Sequence, residues 1–441
     1  MQTAGLALAR LTLALAPHAK TIWVACGPGN NGGDGLEAAV HLQRWGKRVV
    51  ISLLHDPERS PAEARQAWAA AQVAGVLVSH SAPLEYDVCV DALFGIGSLR
   101  PLSATYANWV LQMNASAAPT IAVDIPSGLH ADTGAAAEVH VVAQYTLSLL
   151  TLKPGMFTGS GRDACGEIWF CNLGIKADAK PLATLLGPSP SASEQRAHAS
   201  HKGSYGDVAV VGGASGMIGA ALLAARSALH GGAGRVFVCP LATLAPTLDA
   251  QLPELMFRTL AGMPWGEMTL VAGCGGGQAI AAHLPELLRD AKHLVLDADG
   301  LNSLAQSPAL QQQLASRAAN STVMTPHPLE AARLLNWTVT KVQADRLLAA
   351  QELANRYHGV VVLKGSGSII STPSHTVHIN PTGNAKLATA GTGDVLAGLI
   401  GARLAAGLGA LNASCDAVYR HGQAADRWAG PLLSASALCQ W

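Results

Sequence analysis

Two stretches of the sequence combine bare backbone with a carboxylate. The first, "GPGNNGGDG" at residues 27–35, follows the apolar run "TIWVAC" and leads into "LEAAVHLQRWG". Its glycines let backbone N–H groups approach a ligand, and a helix beginning here favours an anion such as phosphate. Asp34 complicates that picture, because a carboxylate repels bound phosphate unless it caps the helix or faces another part of the ligand. Asn30, Asn31 and Asp34 offer the oxygen atoms that a hard cation or a ribose hydroxyl needs. The second, "ATAGTGDVLAGLIGARLAAG", places Gly391, Thr392 and Gly393 at the start of a long apolar helix with Asp394 in its first turn. Amide donors beside a carboxylate suit phosphoryl transfer to a hydroxyl: the donors neutralise the moving group while the base takes the proton. A capping Asp after a glycine turn is the plainer alternative.

Each stretch has company. "DALFGIGSLRP" puts Asp91 at the end of "YDVCV", followed by a second glycine turn and Arg100, and "AVDIPSGLHADTG" puts Asp124 and Ser127 after "TIAV". In the second half "VVVLKGSGSIIS" brings Lys364 to a strand end, where an ammonium can meet a nucleotide phosphate. "TPHPLEAARLL" supplies His327 and Glu330, and "LDADGLN" supplies Asp297 and Asp299.

These residues need a scaffold that gathers strand ends. Short β-branched runs without polar alternation, separated by alanine-rich helical stretches, predict parallel sheets covered on both faces, whose ligands sit at the carboxyl ends of the strands. At 441 residues the chain suits more than one domain. The Pro-, Ser- and Ala-rich segment 177–199 reads as a linker between an α/β domain at 1–176 and another at 200–441. Net charge is zero, charged residues are 13% and no basic run occurs, so nucleic acid and anionic membranes are not expected partners. The eight cysteines are scattered without zinc-ligand spacing, which fits reduced thiols. The opening "MQTAGLALARLTLALAPHAK" has no basic start and carries Arg10 within its apolar stretch, so it reads as an amphipathic helix, and a cytoplasmic location is expected.

In their order, "GPGNNGGDG", "DALFGIGSLRP", "DIPSGLHADTG" and "TLKPGM" resemble the NAD(P)H-hydrate epimerase domain, a Rossmann-like α/β/α sandwich. "HKGSYG", "GMIGAALLAARSAL", "TPHPLEAARLL" and "NPTGNAKLATAGTGD" resemble the ADP-dependent NAD(P)H-hydrate dehydratases of the ribokinase-like superfamily. The first resemblance implies that Asn30, Asn31, Gly32, Gly33 and Asp34, with Gly95, Ile96, Gly97, Ser98, Leu99, Arg100 and Pro101, hold the hydrated dinucleotide. It further implies that Asn31, Asp91 and Ser127 bind potassium and that Asp124 contacts the substrate and moves a proton. In that family a helical segment usually precedes "AG.ALA", whereas this chain begins three residues before it, so the expectation is either a shortened N-terminal helix or a start placed too late. The second resemblance implies that Lys364, Gly365, Ser366, Gly367, Ser368 and Gly393 contact the adenine nucleotide. Ala220, Gly275, His327 and Asp394 would contact the hydrate, with Asp394 as base, Mg²⁺ assisting and ADP as co-substrate. "VAGCGGG" departs from the usual pattern, which more often has Pro where Cys274 stands.

The implied activity is repair of NADHX and NADPHX: epimerisation of the R and S hydrates, and dehydration of the S form to NAD(P)H with AMP and phosphate as products. A homo-oligomer is expected on the same ground. The residues by themselves leave open a ribokinase-like small-molecule kinase, for a vitamin precursor or sugar, with a non-catalytic N-terminal nucleotide-binding module.

Overall fold

The computed structural model describes residues 1–97, 101–176, 178, 180–188, 197–373 and 377–440. The chain divides into two units, Met1–Pro181 and Leu182–Trp441.

In the first unit the elements run α1 (Gln2–Leu15), β1 (Thr21–Cys26), α2 (Asn30–Arg44), β2 (Arg48–Ser52), α3 (Ala62–Val73), β3 (Leu77–Ser79), β4 (Val88–Ala92), α4 (Ala104–Ala115), β5 (Thr120–Val123), β6 (Tyr145–Leu149), the single turn α5 (Gly161–Ala164) and β7 (Glu167–Cys171). The seven strands are parallel, in the order β3-β2-β1-β4-β5-β6-β7. Successive residues of β1 explain why no polar alternation is seen. Ile22 and Val24 pack into one apolar cluster with Leu8 of α1 and Leu36 of α2, while Trp23 packs on the opposite side with Trp109 of α4. The strand order turns back between β1 and β4, so the chain leaves these neighbours in opposite directions and a crevice opens beyond their carboxyl ends. Gly27 closes its floor: its N–H donates to the Ala92 carbonyl at 3.0 Å, and a Cβ on Gly27 would lie 1.7 Å from the Leu93 oxygen.

The second unit runs β8 (Thr184–Leu185), β9 (Asp207–Gly212), α6 (Ile218–His230), β10 (Arg235–Pro240), β11 (Met256–Phe257), β12 (Thr269–Ala272), α7 (Leu284–Asp290), β13 (His293–Leu296), α8 (Ala298–Gln306), α9 (Pro308–Ala315), β14 (Thr322–Met324), α10 (Pro328–Leu335), α11 (Val339–Ala344), α12 (Arg346–Tyr357), β15 (Val360–Leu363), β16 (Ile369–Ser371), β17 (Val377–Ile379), α13 (Thr392–Ala405), α14 (Ala410–Arg427) and α15 (Ala435–Leu438). Its sheet order is β11-β10-β9-β12-β13-β14-β15-β16-β17-β8. The strands are parallel from β11 to β15, and β16 is antiparallel to both of its neighbours. The unit boundary falls inside the stretch expected to be a linker. Thr184 and Leu185 pair with His378 and Ile379, so this part of the stretch is an edge strand of the second sheet. Under the sheet α13 lies hard against α6: Ser227 Oγ donates to the Val395 carbonyl at 2.6 Å, and a Cβ on Gly398 would sit 2.0 Å from the Ala224 oxygen. That contact fixes the N-terminus of α13, and with it Asp394. Among the described residues no helix is long and apolar enough to cross a membrane.

Candidate active sites

In the first unit a cavity of about 930 Å³ opens beyond the carboxyl ends of β1, β4, β5 and β6. Asn30, Asn31, Asp34, Gly95, Ile96, Gly97, Pro101 and Asp124 line it. Gly32 and Gly33 do not: a Cβ on Gly32 would strike the Gly27 oxygen and one on Gly33 would strike Met1 and Ala64, so their bareness serves the packing of α2. Ser98, Leu99 and Arg100 lie outside the described residues. The cap of α2 is Gly29, which puts Asp34 a full turn into the helix and rules out a capping role for it. Burial pushes the Asp34 carboxyl up to about 7.

Asp91 and Ser127 sit beneath this cavity, both fully buried. Ser127 donates to Asp91 twice, from Oγ at 2.6 Å and from N at 2.8 Å, and Leu93 N adds a third bond at 3.2 Å. The network ties the β4 loop to the β5 loop. Burial raises the Asp91 carboxyl to about 6 against these donors, and among the described residues no Lys, Arg or His pairs with it. Asn31 lies across the cavity floor with its Nδ2 buried and unpartnered, and with its side chain against Gly95.

Asp124 ends β5 in the left-handed region, φ 66°, which aims its side chain along β6. There Oδ1 accepts from Leu149 N at 3.1 Å and from the Lys153 ammonium. Lys153 is 7% exposed and also donates to the Leu149 carbonyl at 2.7 Å. The position stands in "TLKPGM", but its pairing with Asp124 comes only from the adjacency of β5 and β6.

In the second unit Gly391, φ 89°, caps α13, and the first-turn amides that follow have no acceptor within the helix. Asp394 sits among them, and burial lifts its carboxyl to about 6. Cys274 comes from the β12 turn, and its Sγ and carboxylate oxygens of Asp297 and Asp394 lie within 4.8 Å of one another. Lys364 Nζ donates to Asp297 Oδ1 at 2.6 Å, and a Cβ on Gly393 would lie 3.2 Å from that ammonium. Burial alone would depress Lys364, but Asp297 and Glu330 hold it above its ordinary value. His327 caps α10, accepting from Leu329 N at 3.1 Å, while Glu330 reaches back to His327 N at 2.8 Å. Burial lowers His327 and raises Glu330 to about 7.

The β9 and β12 turns interlock here: Gly213 N donates to the Cys274 carbonyl at 2.9 Å and Ala214 N to the Gly275 carbonyl at 2.7 Å. Gly275, φ 58°, is packed so that a Cβ would lie 2.9 Å from that of Ala220, which brings those two expected contacts together. The Gly365–Ser368 turn follows Lys364 and is held from below by Arg346, 1% exposed, whose Nη2 reaches the Leu363 and Lys364 carbonyls at 3.3 and 3.2 Å. Arg346 was not legible in the sequence, where "ADRLLAA" reads as an ordinary helix start.

Comparison with known proteins gives this arrangement its relatives. Residues 1–155 match the family described as YjeF-related protein N-terminus, and residues 208–436 match the family NAD(P)H-hydrate dehydratase. The bifunctional NAD(P)H-hydrate repair enzyme of Escherichia coli is 35% identical over 446 residues, covering 97% of this chain and 84% of its own. That of Coxiella burnetii is also 35% identical, with 97% and 89% covered. The chain belongs to the bifunctional NAD(P)H-hydrate repair enzymes. A ribokinase-like superfamily protein from Enterococcus faecalis superposes with a TM-score of 0.52 at 22% identity, covering 60% of this chain and 96% of its own, which shows the fold of the second unit. In each unit of this repair enzyme the candidate residues gather at the carboxyl ends of the strands. Of the first-unit residues named from the sequence, Gly32 and Gly33 are absent from the cavity lining, and Ser98, Leu99 and Arg100 lie outside the described residues.

Proposed function

We infer that the first unit interconverts the R and S hydrates of NADH and NADPH, and that the second dehydrates the S form at the expense of ADP. The observation that carries the dehydratase reading is Asp394 set among the first-turn amides of α13 beside the Lys364 ammonium. The hydrate carries its hydroxyl on the carbon next to the ring nitrogen, and hydroxide is a poor leaving group. Asp394 takes the hydroxyl proton as the ADP β-phosphoryl group moves to that oxygen, leaving AMP. The amides and Lys364 hold the charge of the moving group. Phosphate then departs as the nitrogen lone pair forms C=N, and loss of a proton from the neighbouring carbon restores the reduced nicotinamide. Asp297 is engaged by Lys364, so Mg²⁺ fits here as an ion carried on the nucleotide phosphates, where it would neutralise phosphoryl charge.

The dehydratase site, shaped around one stereocentre, leaves the R form untouched, and the first unit supplies its conversion. Its donor set fits potassium. Asp91 is a buried carboxylate without a cationic partner among the described residues, Ser127 adds a hydroxyl oxygen, and turning over the Asn31 amide offers an oxygen where Nδ2 lies unpartnered. A bound K⁺ would anchor the dinucleotide phosphates at the cavity floor.

The test is recovery of NADH absorbance from a mixed R and S hydrate with nucleotide and potassium varied. Complete ADP-dependent recovery, faster than spontaneous epimerisation and quickened by K⁺, is expected. Recovery that stops with the R form left over would remove the epimerase, and none with ADP would remove the dehydratase.

A further inference from the structure

The first unit's cavity carries two carboxyl groups in unlike surroundings. Asp124 is ion-paired with Lys153, which is buried and also bonded to the Leu149 carbonyl. Asp34 comes from a different element, the second turn of α2, lines the same cavity and is close enough to feel the charge of Asp124. The other charged groups facing Asp34 are the amino group of Met1, 4.0 Å from Oδ1, Glu37 on its own helix and Glu63 of α3, which lines the cavity. We propose that epimerisation runs between Asp34, as the acid that protonates the substrate hydroxyl, and Asp124, as the base that receives a proton on the other side, with Lys153 as the positioning residue for Asp124.

This rests on the epimerase assignment above. The stereocentre bears both the hydroxyl and the ring nitrogen. A proton passes from the Asp34 carboxyl to the hydroxyl oxygen, the C–O bond breaks with its electron pair on oxygen, and water departs as the nitrogen lone pair forms C=N⁺. Water then adds to the opposite face, its lone pair making the new C–O bond while the C=N pair returns to nitrogen. Its proton goes to Asp124. The net reaction consumes nothing, and solvent returns the proton from Asp124 to Asp34. The reverse direction uses the same two groups with their roles exchanged. Carboxyl groups around the cavity favour the cationic intermediate, and burial keeps a proton available on Asp34 near neutral pH.

The experiment uses the full chain and pure R hydrate, with excess ADP for the rates. Asp34→Asn is expected to slow R consumption about 100-fold or more, while the thermal transition of the first unit persists and S hydrate still yields NADH through the second. Lys153→Met frees the Asp124 side chain from its buried partner and is expected to lower kcat for R consumption with a smaller change in KM, and Lys153→Arg to restore much of kcat. Without ADP, S hydrate formed from R in H₂¹⁸O is expected to carry the label. Asp34→Asn that raises KM and leaves kcat unchanged, or S hydrate that keeps its original oxygen, would overturn the proposal. A wild-type chain that never converts R would instead overturn the epimerase assignment beneath it.

Discussion

Asp394→Asn should make the second unit more stable and nearly inactive at once. In the folded chain burial holds the Asp394 carboxyl at about 6 against an ordinary value of 3.8. At about 1.4 kcal/mol per pH unit, keeping it ionised at pH 7 costs the unliganded fold about 3 kcal/mol. The sign follows from proton uptake. A raised carboxyl binds its proton more tightly folded than unfolded, so this group's contribution to stability grows as pH falls through 6 and is complete below 3.8. Asparagine carries no charge, so the variant escapes the penalty at pH 7. Its gain should be largest there and vanish by pH 4. A unit of this size gains roughly 2–4 °C in Tm per kcal/mol. The same substitution removes the proposed base, and ADP-dependent recovery of NADH from S hydrate should fall by about 10²–10⁴-fold. Thermal denaturation at pH 7 and pH 4, with single-epimer kinetics, reads both effects. An active Asp394→Asn enzyme would refute the base, and a variant no more stable than wild type at pH 7 would refute the account of its burial.

Three further outcomes follow from particular contacts. Ser127→Ala removes a donor from the fully buried Asp91 and should cost the first unit about 1–3 kcal/mol in denaturant unfolding, with partial relief from added potassium but not from sodium. Arg346→Met leaves the Leu363 and Lys364 carbonyls without their buried partner, so the nucleotide turn loosens; KM for ADP should rise roughly tenfold with a smaller change in kcat, about 1.4 kcal/mol of lost binding. His421 is buried with Nε2 2.9 Å from the Thr392 carbonyl, and burial lowers it to about 4. The unfolded chain takes up this proton first, so the wild type should lose stability as pH falls from 6.5 to 4, a loss that His421→Gln removes when the two are compared by denaturant titration.

The site was legible where chemistry and local geometry share one stretch of chain. Asp394 follows its own amide donors, Asp91 and Asp124 end their own strands, and the strands announce themselves as unbroken apolar runs because both faces of each sheet are covered. Legibility failed where the partner comes from elsewhere. Lys153 is one lysine in a loop until β6 lies beside β5 and delivers it to Asp124, 29 positions away. Arg346 looks like a solvated helix residue until β15 ends above it. For Gly32 and Gly33 the resemblance points to the ligand, while a Cβ at either would meet Gly27 or Met1 with Ala64, a packing demand on bare backbone that the sequence does not reveal. β8 and β17, two and three residues long, are too short to carry a pattern, and their pairing defines where the second unit begins.

Burial acts on both sites in the same direction but with opposite consequences for catalysis, and this fixes a working range for the whole chain. With Asp394 as the proposed base, dehydration needs it ionised, so recovery of NADH from S hydrate should fall away below about 6. The proposed epimerisation needs the proton on Asp34, so conversion of R hydrate should fall away above about 7, where Asp34 ionises. Starting from R hydrate with ADP present, recovery should therefore trace a bell whose alkaline limb belongs to the first unit and whose acid limb includes the second. The assignment is separable by substrate: S hydrate alone should lack the fall above 7, since it bypasses the first unit. If S and R hydrates gave the same alkaline limb, the group losing its proton there would lie in the dehydratase site, with Glu330, at about 7, the first residue to replace.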